Sequence, residues 1–122
     1  MQLTFLGKST QGGGSPTLYA TGNATYVVQG WKVADAPSTV EIPAALLRFC
    51  EPNIEIDATA RPTGRRWRDD DGIDSEVLAL DGTPVTAAAV LAQMKIPDHE
   101  ACIEVRQRRK DSHSAATAGR GV

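Results

Sequence analysis

The amino-acid sequence predicts an α+β fold, a small, mainly antiparallel sheet of about five or six short strands with two short helices packed on one face. Three observations lead there. Six short segments are apolar or alternate apolar with polar residues at strand spacing. A tight-turn signal, Thr21-Gly22-Asn23-Ala24, joins two of them. Two further segments have helical apolar spacing behind a residue suited to starting a helix, Pro43 in one case and Thr86 in the other.

Taken in order, Leu3-Thr4-Phe5-Leu6 is the first strand, and Lys8 to Pro16, with three consecutive glycines, is loop. Thr17–Ala20 and Thr25–Gln29 form a hairpin across Gly22 and Asn23, which tolerate positive φ angles. Gly30 follows beside Trp31, where a missing side chain permits a bulge or a close backbone approach. Ser38–Ile42 alternates like a half-buried strand, and Pro43 opens a helix over 44–49 with Leu46, Leu47 and Phe49 on its apolar side. Residues 57–74 hold Pro62, two glycines, a run of arginines and a run of aspartates but few aliphatics, which predicts an exposed connector. Glu76–Leu80 is a strand ended by Asp81-Gly82, and Thr86 caps a helix over 87–94 with Val85 and Val90 spaced as a hydrophobic staple. Ile96-Pro97-Asp98 stops that helix, and Ala101–Val105 alternates as a closing strand.

At 122 residues the chain has the length of one domain. We assign residues 1–110 to a single globular domain and 111–122, rich in Ser, Ala and Gly, to a disordered tail. Hydrophobic residues make up 41% and charged residues 23%, the balance of a folded protein rather than a disordered one. The net charge of −2 hides a division: residues 106–122 carry five basic groups against Asp111, so the rest of the chain is acidic. No apolar run reaches the ~18 residues of a membrane span, and Met1-Gln2-Leu3-Thr4 lacks the start of a secretory signal, so the expected compartment is the cytoplasm, with no membrane partner. Cys50 and Cys102 sit in apolar stretches, where reduced, buried thiols are expected.

Little in the sequence carries chemistry. His99, Cys102, Cys50 and Glu100 do not make the paired ligand spacings of structural zinc. A cysteine nucleophile needs a histidine close in space, and the chain has only His99 and His113. Gly12-Gly13-Gly14 lacks the Lys-Ser/Thr and helix start of a phosphate loop, and Asp69-Asp70-Asp71 with Asp74 lacks the ligand order of a calcium loop. No catalytic residue, metal or cofactor is assigned. The candidate interaction residues are Trp31 and Lys32; Arg65, Arg66, Trp67 and Arg68, whose guanidinium groups suit phosphates and whose indole can stack on a base; and Arg106, Arg108, Arg109 and Lys110, a second basic cluster. The plainer alternative is a self-neutralising loop followed by a solubilising tail.

Phe5-Leu6-Gly7-Lys8, Ser15–Thr21 and Thr25–Val33, with Leu91–Glu100 and Ile103-Glu104-Val105, resemble a group of small uncharacterised actinobacterial, streptomycete-type proteins. The match covers about residues 5–33 and 91–105, with residues 34–90 set between the two blocks. Genes of that group lie beside helix-turn-helix regulators. The resemblance therefore implies a regulatory or accessory role with a protein partner, such as a DNA-binding transcriptional regulator, and no established activity.

Three functional classes follow. The first is a non-enzymatic accessory protein acting through protein–protein interaction at an exposed sheet edge or the Trp31 region. The second is a nucleic-acid-binding protein using the Arg/Trp segment and the basic tail. The third is an enzyme whose site is assembled only on folding.

Overall fold

A computed structural model describes residues 1–10 and 15–110. Nine strands are present: β1 (Thr4–Lys8), β2 (Thr17–Ala20), β3 (Thr25–Lys32), β4 (Thr39–Pro43), β5 (Ile54–Asp57), β6 (Ala60–Arg68), β7 (Asp74–Asp81), β8 (Thr83–Pro84) and β9 (Glu100–Arg109). A 3-10 helix, Ala44–Phe49, follows β4, and a single α-helical turn, α1 (Ala88–Leu91), precedes β9.

Every pairing is antiparallel, and the pairings close on themselves. β3 lies along β9 from Thr25↔Arg106 to Trp31↔Glu100. Its other side takes β2 first and β4 at Trp31 and Lys32. β4 pairs with β7, and β7 passes through Gly82 into β8, which returns to β9 at Glu104 and Ile103. The ring β3–β4–β7–β8–β9 is thus complete, with β5 also on β9 and with β1 and β6 at the two ends of the strand order.

A ring of so few strands must bend sharply, and glycines mark where it does. A Cβ on Gly30 would lie 2.7 Å from the Glu41 carbonyl oxygen, and one on Gly82 would lie 2.7 Å from the Glu104 carbonyl oxygen. Both are places where strands cross too closely for a side chain.

Inside the ring lie Leu18, Tyr26, Val28, Val40, Ile42, Leu80, Ile103 and Val105, joined by Leu46 from the 3-10 helix. Burial of each large apolar side chain contributes about 1.5–3 kcal/mol. Tyr26 keeps its polar end satisfied: its hydroxyl donates to the Ile54 carbonyl (3.3 Å) and accepts from the Glu51 N–H (3.1 Å). A second layer forms on the outer face of β3 and β9, where Val27, Gln29 and Cys102 are also buried. The segment leaving α1 reaches this face, with Met94 Sδ 3.7 Å from Cys102 Sγ and the Lys95 carbonyl accepting the Gln29 amide at 2.8 Å.

The sheet-rich, antiparallel character matches the expectation, and three details need correction. Residues 60–68, expected within a connector, form β6. An edge strand needs a partner on one side only, so β6 pairs with β7 and leaves its arginines in solvent despite having few aliphatics. The aspartate run is the turn of that hairpin: Asp69 Oδ1 accepts from the Asp71 and Ile73 N–H groups, and Gly72 takes φ +78°. The helix expected over 87–94 shrinks to Ala88–Leu91, because its N-cap is Ala87, with no side-chain cap, and Thr86 plays no capping part. The two short helices also do not share a face, since Leu46 belongs to the inner cluster and Val90 does not. No helix among the described residues is long and apolar enough to cross a membrane.

Candidate functional site

Two predicted site residues far apart in sequence meet. Trp31 on β3 and Trp67 on β6 pack edge to face, ring centroids 5.4 Å apart and planes at 69°. Both are half-buried, so each indole spends much of its surface on the other. The adjoining arginines are engaged with nearby oxygens: Arg65 with Glu41 (2.6 Å), Arg66 with Asp74 (3.3 Å) and Arg68 with the Gly72 carbonyl (3.4 Å). Arg61 pairs with Asp81 in the same way. Lys32 is exposed at the end of β3.

The second basic cluster belongs to the sheet. β9 runs on to Arg109, so Arg106 to Arg109 are strand residues opposite β5 and not the start of a free tail. Arg108 pairs with Glu55 (3.0 Å) and Asp57 (3.5 Å), and the Lys110 N–H donates to the Asn53 carbonyl. Residues 111–122, assigned to the tail, lie outside the described residues.

A groove of about 200 Å³ lies on the sheet face across β1, β2 and β3, where Thr17 and the Phe5 and Tyr19 rings, edge to face at 6.2 Å, line it. Lys8, Gln29, Gln93 and Lys95 line the rest of it, without a carboxylate. Phe5 is 56% exposed. The Tyr19 hydroxyl is held above its ordinary pKa by burial, with the Cys102 sulfur adding to the shift, so it is protonated at neutral pH.

A larger cavity, about 420 Å³, opens beneath α1. Pro84, Val85, Leu91, Met94 and Ile96 give it an apolar wall, and Glu100 and Cys102 of β9 line its floor. The Glu100 side chain is only 1% exposed. Its Oε1 accepts from Gln29 Nε2 at 2.7 Å, while Oε2 is buried without a hydrogen-bond partner. His99 Nε2 stands 3.6 Å from Oε2, beyond hydrogen-bond range, on a side chain 66% exposed. Burial raises the Glu100 pKa above the ordinary carboxylate value, against the Gln29 hydrogen bond and the His99 charge, which pull it down. Cys102 is pushed up to about 12 by burial, with the Glu100 charge adding to the effect, so it is no nucleophile.

Sequence reasoning weighed Glu100 only as a nominal zinc ligand, because Ala101, Ile103 and Val105 alternate toward the core and place Glu100 on the opposite, presumed outer, face. That face is buried as well, under the segment that leaves α1. The sign available in the sequence was that Glu100 stands two residues before Cys102, on the same face of the strand.

No group of three or more His, Cys, Asp or Glu that could hold a metal ion occurs among the described residues. No protein-family model, curated protein or solved structure matches the chain.

Proposed function

We propose that the protein is a non-enzymatic accessory protein that binds a protein partner along the edge of β1, the partner adding an extended segment with an acidic side chain. The observation that carries this reading is that β1 ends the strand order and borders a groove on the adjoining sheet face, in which an exposed aromatic, Phe5, is flanked by Lys8 and Lys95 with no carboxylate among the lining residues. Strand addition at such an edge draws affinity from main-chain hydrogen bonds and specificity from side-chain pockets. An acidic residue in the added segment complements the two lysines.

The contrast with the other end of the strand order supports the choice of edge. β6 is blunted by Arg61, Arg65, Arg66 and Arg68 and by Pro62, whereas an irregular register is common to both edges, between Phe5 and Gly7 in β1 and between Pro62 and Arg66 in β6. β1 presents Thr4, Phe5 and Leu6 and carries its first charge at Lys8. Three of the six arginines of the nucleic-acid reading, Arg65, Arg66 and Arg108, are paired with Glu41, Asp74, Glu55 and Asp57, which weakens an electrostatic footprint for phosphates.

The resemblance stated above makes a neighbouring helix-turn-helix regulator the partner to offer first. Purified regulator and protein are mixed and resolved by size exclusion with light scattering. A complex is expected for the wild type and for Trp67→Ala, and its Kd is expected to rise at least tenfold for Phe5→Glu and for Lys8→Glu with Lys95→Glu. A complex indifferent to Phe5→Glu, or a protein that stays monomeric with every regulator offered, overturns the reading.

A further inference from the structure

We propose that Gln93 guards the β1 edge, an autoinhibitory contact in which one side-chain amide stands where the backbone of an added strand would pair. The inference rests on the reading of β1 as a strand-addition edge and adds how that edge is regulated.

The Leu3 N–H donates to Gln93 Oε1 at 3.0 Å, and the Met1 carbonyl accepts from Gln93 Nε2 at 2.9 Å. In an extended chain the backbone groups of successive residues point to opposite sides, so the Met1 carbonyl and the Leu3 N–H share one edge, and the amide spans both as a neighbouring strand would. The ladder shows which edge it is. The Thr21 N–H donates to the Thr25 carbonyl on the β3 side, so the groups of Ala20 face the other way, toward its register partner Thr4 on β1. Thr4 therefore faces β2, and Leu3 turns its N–H outward. Gln93 holds the outer side of the chain entering β1, where an added strand would lie, and the edge open to addition begins at Phe5.

The contact is built to release. Gln93 is exposed and lines the groove with Phe5, Lys8 and Lys95, so a partner's acidic side chain arrives beside it. Its Nε2 also donates to the Ala89 carbonyl at 3.2 Å, a bond within its own turn of chain that survives when the amide leaves the edge. The segment that carries it is anchored separately, because the Gln93 N–H donates to the Val90 carbonyl and the Lys95 carbonyl accepts from Gln29. Opening is thus a side-chain rotation that breaks two hydrogen bonds at exposed groups and leaves the fold in place. The loss is offset when the backbone of the added strand takes up Met1 and Leu3. Until then a partner meets only the fraction of molecules whose edge is open.

The test uses the full 15N-labelled chain and the helix-turn-helix regulator offered above. Gln93→Leu keeps the bulk and removes the amide, and Gln93→Asn keeps the amide one methylene short. Without a partner, hydrogen exchange at the Leu3 amide is expected to be about fivefold slower in the wild type than in either variant. With the regulator, the Kd of both variants is expected to fall about fivefold below the wild-type value, and Phe5→Glu is expected to weaken the Gln93→Leu complex as it weakens the wild type. Equal Leu3 exchange in all three chains overturns the guard whatever the partner does. A wild-type complex whose Kd is unchanged or raised in both variants overturns the guard and leaves the reading of the β1 edge standing. No complex with any of the three chains overturns that reading, and the guard with it.

Discussion

Gln29 holds Glu100 in place: its side-chain nitrogen donates to Glu100 Oε1 at 2.7 Å and to the Lys95 carbonyl at 2.8 Å. One buried amide thereby ties β3 to β9 and to the segment that links α1 to β9. Both of its amide protons are used, and the residue is 1% exposed. Replacing it by an apolar residue of similar size leaves a buried carboxyl and a buried carbonyl without their donor. Gln29→Leu is expected to destabilise the fold by about 3 kcal/mol, read from urea unfolding at constant m-value. A loss below about 1 kcal/mol would mean that water replaces the amide.

Glu100 sets a pH dependence of stability with a definite sign. Burial raises its folded pKa above the ordinary value of 4.5. Between those two values the folded state keeps a proton that the unfolded chain has released, so stability falls as pH rises through that window. Asp69 and Asp81 act oppositely. Burial would raise Asp69, but the Ile73 N–H and the Arg48 guanidinium outweigh it; the Arg61 guanidinium, followed by the Thr39 hydroxyl, lowers Asp81. Their contributions are present above the ordinary carboxylate range and are lost as pH falls. The stability of Glu100→Gln minus that of the wild type should therefore grow as pH rises from 4.5. A flat difference would place Glu100 in contact with solvent.

The elements legible in the sequence were those whose local signals and tertiary surroundings agree. The hairpin between β2 and β3 formed as expected, although the positive φ angles fall on Gly22 and Ala24 and not on Asn23, and the strands around Ile42, Leu80 and Ile103 each turn one face to the inner core. What stayed hidden depended on contacts remote in sequence. β6 reads as a connector because its strand character comes from the β7 backbone and not from its own side chains. Trp31 and Trp67 were named as candidates separately, and only the bending of the sheet brings them together. The burial of Glu100 was hidden because alternation reports one buried face, whereas β9 has two.

The strand crossings set a steep penalty at two glycines. Gly30→Ala puts a methyl group within 2.7 Å of the Glu41 carbonyl oxygen and 2.8 Å of Ile42 Cγ2, atoms of the backbone and of the packed core that cannot yield cheaply. The expected cost is about 2–3 kcal/mol. Gly64→Ala is the control, because its Cβ would meet open space and the cost is the left-handed backbone alone, about 1 kcal/mol. Thermal unfolding of both variants checks the ranking, and equal losses would refute the crossing as its cause.

The edge-to-face pair of Trp31 and Trp67 should show as a coupling energy. Single replacements by leucine and the double replacement form a cycle that removes the ring contact while preserving apolar bulk. The expected coupling is about 1 kcal/mol, and Trp67→Leu should shift the emission of Trp31 to the red as its indole loses cover. Additive losses with unchanged emission would mean that each ring is held by other neighbours.

The two thiols should be inert in the native protein. Cys102 is buried with its pKa pushed up to about 12, and Cys50 is raised as well, by burial foremost, although its hydrogen bond with Tyr26 and the nearby Lys110 charge pull the other way. The reactive species is the thiolate, which is scarce for both groups at pH 8. A chromogenic disulfide reagent is expected to find less than one reactive thiol in the native chain over minutes and two after unfolding in urea. Because Cys102 lies on the floor of the cavity beneath α1, its native reactivity also reports how often that floor opens. Rapid labelling of Cys102 alone would show the segment from α1 to Ile96 lifting on that timescale.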